Sequence, residues 1–575
     1  MKQNEAINKT GNTNNSKKTN KHDDRKSGGD SNKNHRNVSP KQIQKSRGNN
    51  HNVKNGKASS RQKRTDKPLR IIPLGGLDGI GKNMTVFEYG NDIILVDAGL
   101  MFPDDDHPGV DLILPDYTYV LQNANRLRAI LVTHGHEDHT GALPYLLKDL
   151  DTKVPIYSTK LTLGLIDGKL AEFNLRKQDF REVKPGDTVK LGAFSCEFFA
   201  VNHSIPAAMG VFIQTPAGNV LHTGDFKLDQ TPIDGVHTDF RAISRFSAQG
   251  IDLMMSDSTN ATRAGFTPSE AEVGKALRQI ISQAPNRVII ASFASHIHRI
   301  QQVCDAAKDA GRKIAVTGRS MLTNTKIASE LGYLNVHEKD IIDAYDIKNI
   351  PKDKIVVLCT GSQGEPLSAL ARMANGEHRT VEIEQGDTVI ISATPVPGNE
   401  KAVTRVINAL SKIGADVYDK GRALVHVSGH ASSEELKLML VLAKPKNFMP
   451  VHGEAQHLRA HAKLAHDVGI PHRNIFILDN GDSVLLQNGV VKRGDGVDSG
   501  IIYVDGLSVG DLSQVVLKDR QTLASDGIVT VVCMLRKGGK PQGEPEVVMR
   551  GVSGGDDPAL LQDAGDNVAR TLRDS

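Results

Sequence analysis

The segment "LVTHGHEDHTGALPYL", residues 131–146, places three histidines and two acidic residues within six positions. An apolar run precedes these polar residues and a helical pattern follows them, so we expect the ends of the segment to be buried. In an extended strand end, His134 and His136 project to the same side. Asp138 and His139 follow where the chain turns into the helix. This arrangement can offer two imidazoles to one metal ion, and a carboxylate plus an imidazole to a neighbouring ion.

Imidazole nitrogen and carboxylate oxygen suit Zn²⁺ well and Mn²⁺ acceptably. The alternative is a histidine-rich solvated loop, which the buried flanks disfavour. Two ions need further ligands, and three other predicted strand ends supply them: His203 in "AVNHS", Asp225 in "LHTGDF" and His452 in "PVHGE". A single histidine at a strand end is more often an ordinary core or turn residue. Three such residues in one α/β chain favour a metal centre.

The chain of 575 residues is long enough for roughly three or four domains. No apolar run approaches the length of about 18 residues that a membrane-spanning helix needs, and the N-terminus has no secretory segment. The cysteines, Cys196, Cys304, Cys359 and Cys533, are scattered without C-x-x-C spacing. We therefore expect reduced thiols in a cytoplasmic protein that does not bind membranes.

Charge is concentrated at the N-terminus. Residues 1–68 contain 18 Lys and Arg against 5 Asp and Glu, a net charge of +13, and because the whole chain carries +4 the remainder carries −9. This first segment has no aromatic residue and few aliphatic ones, which predicts a disordered basic tail. The tail either keeps the protein in solution or follows a phosphate backbone, and the sequence leaves both roles open.

From Arg70 onward, short β-branched runs alternate with helical patterns, which is typical of an α/β fold. A first series of strands includes "RIIPLGG", "DIILVDAG", "AILVTHG", "FFAVNH", "VFIQT" and "NVLHTGD", and a second βα series runs from about 268 to 425. We predict further short strands at "ALVHVSGHA", residues 423–431, and at "NFMPVHGE", residues 447–454. The stretch "KRGDGVDSG", residues 492–500, predicts a linker to a small βα module.

The stretch "GLDGIGKN", residues 76–83, nearly fits the phosphate-binding motif G-x-x-x-x-G-K-[ST]. Asn83 stands where a hydroxyl must bind Mg²⁺. The following residues, "MTVFEYG", predict a strand, whereas a phosphate-binding loop must open a helix. We therefore predict a structural turn.

The pattern H-x-H-x-D-H, a later histidine, an aspartate in a T-G-D turn and a final histidine resembles the ligand set of the metallo-β-lactamase superfamily. A long α/β insertion before "PVHGE", with "MMSDST" at its start and "SGHAS" near its end, resembles the β-CASP branch that cuts nucleic acids. The motifs "PLGGLDGIGKNM", "VDAGLMFP", "TGSQGEP" and "SATPVPGNE" together resemble the bacterial ribonuclease J family. The resemblance covers residues 69–490.

This resemblance implies an α/β fold: a metallo-β-lactamase αββα sandwich with an inserted β-CASP α/β domain and a small C-terminal α/β module. The expected boundaries place the basic tail at 1–68, the first part of the sandwich at 69–265, the β-CASP domain at 266–425, the return to the sandwich at 426–490, and the linker with the C-terminal module at 491–575.

The resemblance also implies roles for individual residues. Two divalent ions are expected, with zinc favoured and manganese or magnesium as alternatives. One ion would be held by His134, His136 and His203, the other by Asp138, His139 and His452, with Asp225 bridging both and taking part in catalysis. His430 in "SGHA" would give a proton to the leaving 3′ oxygen, and Asp257 in "SDST" would orient its ring.

Three further predictions concern the surroundings of the ions. The segment His426, Val427, Ser428, Gly429 and His430 resembles the family's pocket for an RNA phosphate, and an ordinary glycine turn is the alternative. Ser362 in "TGSQGEP" is expected to line the same groove. Asp97 in "VDAG" either supports the metal-binding histidines or is a simple turn residue at a strand end.

The expected function is a ribonuclease that degrades single-stranded RNA from a 5′ monophosphate end and also cuts internally, in mRNA decay and rRNA maturation. A homodimer or homotetramer is expected through the C-terminal module, and other RNA-decay proteins are candidate partners. One alternative is a catalytically weak scaffold, which the complete ligand set disfavours. The other is a small-molecule metallo-hydrolase, which has no need of the long insertion.

Overall fold

The computed structural model describes residues 67–575, except 105, 176, 366–367, 397, 507, 511–513, 538–541 and 575. The predicted disordered tail at 1–68 therefore lies outside the described residues except for its last two positions. The described chain belongs to one compact unit, residues 62–575.

The strands are numbered in chain order: β1 Leu69–Gly75, β2 Met84–Tyr89, β3 Asp92–Val96, β4 Leu112–Pro115, β5 Leu127–Leu131, β6 Ile156–Ser158, β7 Phe180–Glu182, β8 Thr188–Leu191, β9 Phe194–Ala200, β10 Met209–Thr215, β11 Gly218–His222, β12 Leu253–Asp257, β13 Val288–Ala291, β14 Lys313–Thr317, β15 Ile341–Ile342, β16 Ile355–Cys359, β17 Thr388–Ile391, β18 Asp416–Tyr418, β19 Asn447–Val451, β20 Ser483–Gln487, β21 Val490–Gly494, β22 Ile501–Asp505, β23 Ser508–Val509, β24 Ile528–Val532 and β25 Glu546–Arg550.

The helices are numbered in the same way: α1 Thr118–Gln122, α2 Glu137–Thr140, α3 Leu143–Asp149, α4 Lys160–Glu172, α5 Phe240–Gln249, α6 Glu270–Gln283, α7 Ile297–Asp309, α8 Arg319–Glu330, α9 Ala369–Ala374, α10 Glu400–Ile413, α11 Ser433–Ala443, α12 Ala455–Asp467, α13 Gln514–Asp526 and α14 Pro558–Asp574.

Two sheets pack face to face with helices on their outer sides. The first has the strand order β21-β20-β1-β2-β3-β5-β6-β7 and the second has the order β19-β12-β11-β10-β9-β8. In β1, Ile71 packs between the sheets while Ile72 packs under α1, α3 and α4, so both faces of the strand are buried and its sequence is almost continuously apolar. Helices α5, α11 and α12 cover the second sheet. The predicted αββα sandwich is confirmed.

A third sheet lies within the insertion between the two halves of the sandwich. Its order is β15-β14-β16-β13-β17-β18, and every neighbouring pair is parallel. Helices α6, α7 and α8 cover one face, and α9 and α10 cover the other. Because parallel strands end at the same edge, the loops after β13, β16 and β17 meet at one side of this sheet, where α/β proteins bind their ligands.

The C-terminal segment is attached to the sandwich by strand pairing. Strand β22 pairs with β4 in an antiparallel manner, and Leu517 of α13 packs against Val110 and Tyr503. The linker predicted at 492–500 is wrong in its first three residues, because these belong to β21 and pair with β20. The predicted domain boundaries stay a prediction.

The strand predicted at 423–431 is wrong, since the structure has no strand in this part of the described chain. The apolar alternation arises from burial alone, with Val425 and Val427 in the core. Polar side chains take the place of the backbone hydrogen bonds that a neighbouring strand would make. Val425 O accepts from Arg299 Nη1 and from Ser392 Oγ, each at 2.7 Å. A backbone satisfied in this way does not need a neighbouring strand.

The turn predicted at residues 76–83 is confirmed. It connects β1 to β2, so the chain continues as a strand where a phosphate-binding loop would open a helix. Among the residues that the structure describes, no helix is both long enough and apolar enough to cross a membrane.

Candidate active site

The predicted metal ligands come from loops at the ends of strands in both sheets of the sandwich. His134 and His136 follow β5, and Asp138 and His139 lie in α2. The remaining ligands follow β9, β11 and β19, respectively His203, Asp225 and His452. The fold therefore brings residues that are more than 300 positions apart in the chain into one cluster.

The first group consists of three histidines whose ring nitrogens point at one another. His136 Nδ1 lies 3.1 Å from His134 Nε2 and 3.0 Å from His203 Nε2. The outer nitrogen of His203 donates to Gly429 O at 2.8 Å, which leaves Nε2 without a proton. Burial lowers the pKa of His136 to about 4. Neutral imidazoles are the form that binds metal, so the group fits a divalent ion.

The second group combines two histidines with two carboxylates. Asp138 Oδ2 lies 3.4 Å from His452 Nε2 and 3.6 Å from His139 Nε2. His452 Nε2 is buried and has no hydrogen-bond partner in the described structure. A buried nitrogen without a partner is costly, and a metal ion bound there would remove that cost.

Asp225 lies between the two groups. Its Oδ2 is 3.1 Å from His139 Nε2, 3.7 Å from His134 Nε2 and 3.8 Å from His203 Nε2. Its Oδ1 is 2.7 Å from His452 Nδ1. Burial opposes ionisation of Asp225, but the neighbouring imidazolium charges outweigh it and hold the pKa well below the usual range. A carboxylate placed between two sets of nitrogen donors can bridge two ions.

Asp97 contacts both a predicted metal ligand and the turn after β3, and its role in metal binding stays a prediction. Its Oδ2 accepts a hydrogen bond from His139 Nδ1 at 2.8 Å and from Thr133 Oγ1 at 2.9 Å. Its Oδ1 accepts from Thr133 N at 2.7 Å. The contact to Nδ1 leaves His139 Nε2 facing the second group, which is how buried carboxylates orient metal ligands.

His430 and Asp257 form a pair beside both groups. His430 Nδ1 lies 2.8 Å from Asp257 Oδ2, and the His430 ring centre is 4.9 Å from that of His203 and 5.5 Å from that of His452. Asp257 Oδ1 also accepts from the backbone and hydroxyl of Thr259 at 2.9 and 2.7 Å. Burial lowers the pKa of His430, but the charge and hydrogen bond of Asp257 and the charge of Asp225 together outweigh burial, so the pKa is raised.

The segment 426–430 is held by side chains from the loop that follows β12. Asn260 Nδ2 donates to Ser428 Oγ at 2.8 Å and to His430 O at 3.0 Å, and Thr267 Oγ1 donates to His430 O at 2.8 Å. A Cβ at Gly429 would lie 2.7 Å from the His203 ring, so only glycine permits this approach. The segment thus touches the first group directly.

Three of the residues predicted to bind substrate are largely enclosed. Val427 is a core residue with 4% exposure. His426 faces His296, and its Nδ1 is buried without a partner in the described structure. Ser362 lies at the carboxyl end of β16 with only 2% exposure, which leaves little of its side chain for RNA. Their roles in substrate binding stay predictions.

Sequence reasoning missed several residues that hold the site together. Thr133 contacts Asp97 and His134, and Asn83 contacts the second group. Asn260 and Thr267 hold the segment 426–430. Buried Glu435 accepts hydrogen bonds from three backbone amides. Thr133 directly precedes the metal motif and Asn83 ends the phosphate-loop-like motif. For these two residues the neighbouring motif was the signal that sequence reasoning could have used. A side chain that binds a distant backbone group leaves no local pattern in the sequence.

Four family models match successive parts of the chain. The Beta-lactamase superfamily domain matches residues 93–313, and the domain described as "Ribonuclease J, beta-CASP domain" matches 285–410. The "Zn-dependent metallo-hydrolase RNA specificity domain" matches 416–476, and the Ribonuclease J C-terminal domain matches 515–575. Together these matches extend over the sandwich, the insertion and the C-terminal segment.

Curated relatives match over most of their length. Ribonuclease J of Mycolicibacterium smegmatis is 46% identical over 505 residues, covering 88% of this chain and 90% of the relative. Ribonuclease J of Thermus thermophilus is 46% identical, covering 81% and 82%, and Ribonuclease J2 of Bacillus subtilis is 44% identical, covering 85% and 88%. A crystal structure of a protein of unknown function from Enterococcus faecalis, 16% identical with a TM-score of 0.52, covers 73% of this chain and 100% of its own, and shows the fold alone. The chain belongs to the ribonuclease J family.

Proposed function

We propose that this protein hydrolyses RNA phosphodiesters as a 5′-to-3′ exonuclease that prefers 5′-monophosphate ends and also cuts internally. Membership of the ribonuclease J family makes the chain a nuclease, a hydrolase acting on RNA. The observation that carries the proposal is the position of Asp225 between two groups of metal-binding side chains, with the pair His430 and Asp257 beside them.

The histidine nitrogens and carboxylate oxygens of the two groups are suited to hold two divalent ions, with zinc as the ion that we propose. The first would be held by His134, His136 and His203, the second by Asp138, His139 and His452, and Asp225 would contact both. Two such ions supply Lewis-acid activation of a water nucleophile and neutralise charge on the phosphodiester. The protein contributes rigid ligands, because the outer nitrogens of His203 and His139 are held by Gly429 and Asp97.

His430 supplies the proton that the leaving group needs. Hydrolysis breaks the bond between phosphorus and the 3′ oxygen, and that oxygen must gain a proton as it leaves. Asp257 binds His430 Nδ1 and raises the pKa of the ring, which favours the protonated form from which Nε2 can donate. The ring lies close to both groups of ligands, so one imidazole can serve a substrate held by either ion.

A 5′ phosphate is recognised by the segment 426–430. Ser428 and the backbone around Gly429 form a turn that can offer N–H and O–H donors to a phosphate. This turn contacts the metal ligand His203, so a phosphate held there fixes the distance to the first phosphodiester. Recognition of the end phosphate next to the cleavage site accounts for stepwise removal of nucleotides from the 5′ end.

The biological setting that we propose is mRNA decay and rRNA maturation in the cytoplasm. Self-association into a homodimer or homotetramer is supported by β24, whose five residues are all exposed although four are apolar. The cysteines of the chain are free, in keeping with a reducing compartment. Other RNA-decay proteins are the further partners proposed.

The experiment that tests this function uses one RNA labelled internally and near its 3′ end, with either a 5′ monophosphate or a 5′ triphosphate. Wild type and His136→Ala are incubated with each RNA, with and without added Zn²⁺ or Mn²⁺, and the products are sized. We expect mononucleotides from the monophosphate form, slower release from the triphosphate form, internal fragments from both, and none of these with His136→Ala. Equal rates on both RNAs would refute the end preference. No cleavage by metal-loaded wild type would favour a scaffold, and hydrolysis of a lactam or thioester instead would favour a small-molecule hydrolase.

A further inference from the structure

The turn between β1 and β2, residues 76–83, touches both chain segments that carry the second group of ligands. Gly79 N donates to Gly453 O at 3.1 Å, and Gly453 directly follows the last histidine of that group. At the other end of the turn, Asn83 N donates to Asp138 O at 3.0 Å. The turn that resembles a phosphate loop in sequence therefore connects two separate parts of the metal centre.

The side chain of Asn83 makes the closest of these contacts. Its Nδ2 donates to Asp138 O at 3.1 Å and lies 3.1 Å from His139 Nε2. Only 8% of Asn83 is exposed. Because Asp97 binds His139 Nδ1, the nitrogen that Asn83 approaches is the one that an ion would take, so the bond from Asn83 to Asp138 O is the contact that can persist in the metal-bound protein. One amide thus contacts the backbone of one ligand and the ring of the next.

Glycines on neighbouring segments leave the amide little freedom to move. A Cβ at Gly76 would lie 2.5 Å from Asn83 Oδ1, and a Cβ at Gly99 would lie 1.6 Å from Asp138 O and 2.7 Å from His139 N. Gly76 has a φ of 87°, which side chains rarely adopt. Such close packing holds the amide and the two ligands in one arrangement.

The first group is held by other residues. Its outer contacts come from Gly429 O, which accepts from His203 Nδ1, and from Thr133 Oγ1, which lies 3.0 Å from His134 Nδ1. The loss of the Asn83 amide should therefore disturb the second group and leave the first in place. An effect on the second group alone would indicate a specific role of Asn83, whereas a general loosening of the fold would affect both groups.

We infer that Asn83 is a positioning residue that sets the affinity and geometry of the second divalent ion, the one proposed for Asp138, His139 and His452. The inference rests on the proposed function in one respect, that two ions bind. Residues that orient metal ligands typically change metal affinity by about 10–100-fold when they are removed. The phosphate-loop-like motif, which the proposed reaction leaves without a role, then serves the metal centre.

The test compares metal binding by the full chain, freed of metal, for wild type, Asn83→Ala, Asn83→Leu and Asn480→Ala. Cobalt(II) is titrated into each protein, and both the heat of binding and the visible absorption of bound cobalt are recorded. Asn480 is the matched control because its side chain also binds this turn, accepting from Leu77 N at 3.1 Å and donating to Leu77 O at 2.8 Å. Asn83→Leu keeps the branched outline of the side chain and replaces its polar atoms with somewhat larger methyl groups.

We expect two equivalents in wild type and in Asn480→Ala. In both Asn83 variants one equivalent should stay within about threefold of wild type, while the other weakens by about 10–100-fold and its absorption changes. Affinities unchanged for both equivalents, or equal weakening of both, would overturn the inference and leave the proposed function standing. Fewer than two equivalents in wild type would instead refute the two-ion function, and this inference with it.

Discussion

His203 Nδ1 donates a hydrogen bond to Gly429 O at 2.8 Å, which joins a proposed metal ligand to the segment proposed to bind the RNA phosphate. The two residues are 226 positions apart in the chain. Because this one bond fixes both the orientation of the imidazole and the path of the 426–430 turn, the proposed metal binding and the proposed end recognition would share a structural element. Changes at either residue should affect both properties.

Gly429→Ala should impair both metal binding and recognition of the RNA 5′ end. The added Cβ would lie 2.7 Å from the His203 ring and 2.9 Å from Ser204 Oγ, so the ring or the turn must move. We expect cleavage of 5′-monophosphate RNA to fall by about 100-fold, because displacements of about 1 Å cost that much. The control is Gly421→Ala, whose Cβ would meet only the Asp419 carboxylate, no closer than 3.3 Å, and which should retain activity. Steady-state kinetics on both RNAs checks this, and wild-type kinetics in Gly429→Ala would contradict it.

Asp257→Asn should move the alkaline side of the pH profile to lower pH. A protonated His430 acts as the acid, so activity is lost as pH rises through its pKa. Burial lowers that pKa, while the Asp257 charge and hydrogen bond together with the Asp225 charge raise it overall, so removal of the Asp257 charge should lower the pKa. We expect the descending limb of kcat to shift down by about one pH unit or more, with kcat at pH 8 reduced at least about tenfold. A profile identical to wild type, at equal metal content, would exclude His430 as the acid.

Metal binding at the second group should release protons at pH 7, whereas binding at the first should not. In the metal-free protein, burial lowers the pKa of His452, but the nearby carboxylates raise it overall to about 10, so this ring is protonated. His136, with a pKa lowered to about 4 by burial, is already neutral. Affinity of the second group should therefore rise with pH between 6 and 9, by about tenfold per unit for each proton released, while affinity of the first group stays constant. Calorimetry in buffers of different ionisation heat measures this, and equal pH dependence would contradict it.

Glu435→Ala should strongly destabilise the protein. The Glu435 carboxylate has 0% exposure and accepts from Leu228 N at 2.8 Å, Thr267 N at 2.6 Å and Ser432 N at 2.9 Å. Its removal leaves three buried amides unpaired, which should cost about 3–5 kcal/mol in the free energy of unfolding. Urea unfolding followed by circular dichroism checks the value. Glu434→Ala, next to it and half-exposed, should change stability by less than about 0.5 kcal/mol, and similar losses in the two variants would refute the assignment.

Replacing Val529 and Val531 with lysine should weaken self-association. These residues alternate along β24 on one face of its two-stranded sheet, with exposures of 49% and 38%. If a second copy covers this face, two buried charges would be strongly unfavourable. We expect a smaller mass by light scattering than for wild type at equal concentration, with RNA cleavage retained by the monomeric unit. The double variant Lys518→Ala and Asp526→Ala on α13 is the control, and an unchanged mass for the β24 variant would place the interface elsewhere.

The periodicity of the chain predicts most of the fold. Strands such as β3 and β5 are apolar runs bounded by turn residues, and α7 has a clear helical pattern, so local burial is visible in the sequence. The same signal fails at residues 423–431, where Val425 and Val427 are buried without a strand. Burial controls the apolar pattern, and only the side chains of Arg299 and Ser392 reveal that the backbone is satisfied in another way.

By itself, the sequence determines which residue types occupy the candidate site. The spacing of His134, His136 and His139 on one short segment, and the placement of His203 and Asp225 after strands, follow from local rules of strand and helix geometry. The tertiary structure decides the rest. The hydrogen bonds of Asn83 to Asp138, of Asp97 to His139 and of Gly429 to His203 join segments that are distant in the chain. Such contacts leave no periodic trace, because each depends on how separate segments meet in the folded core.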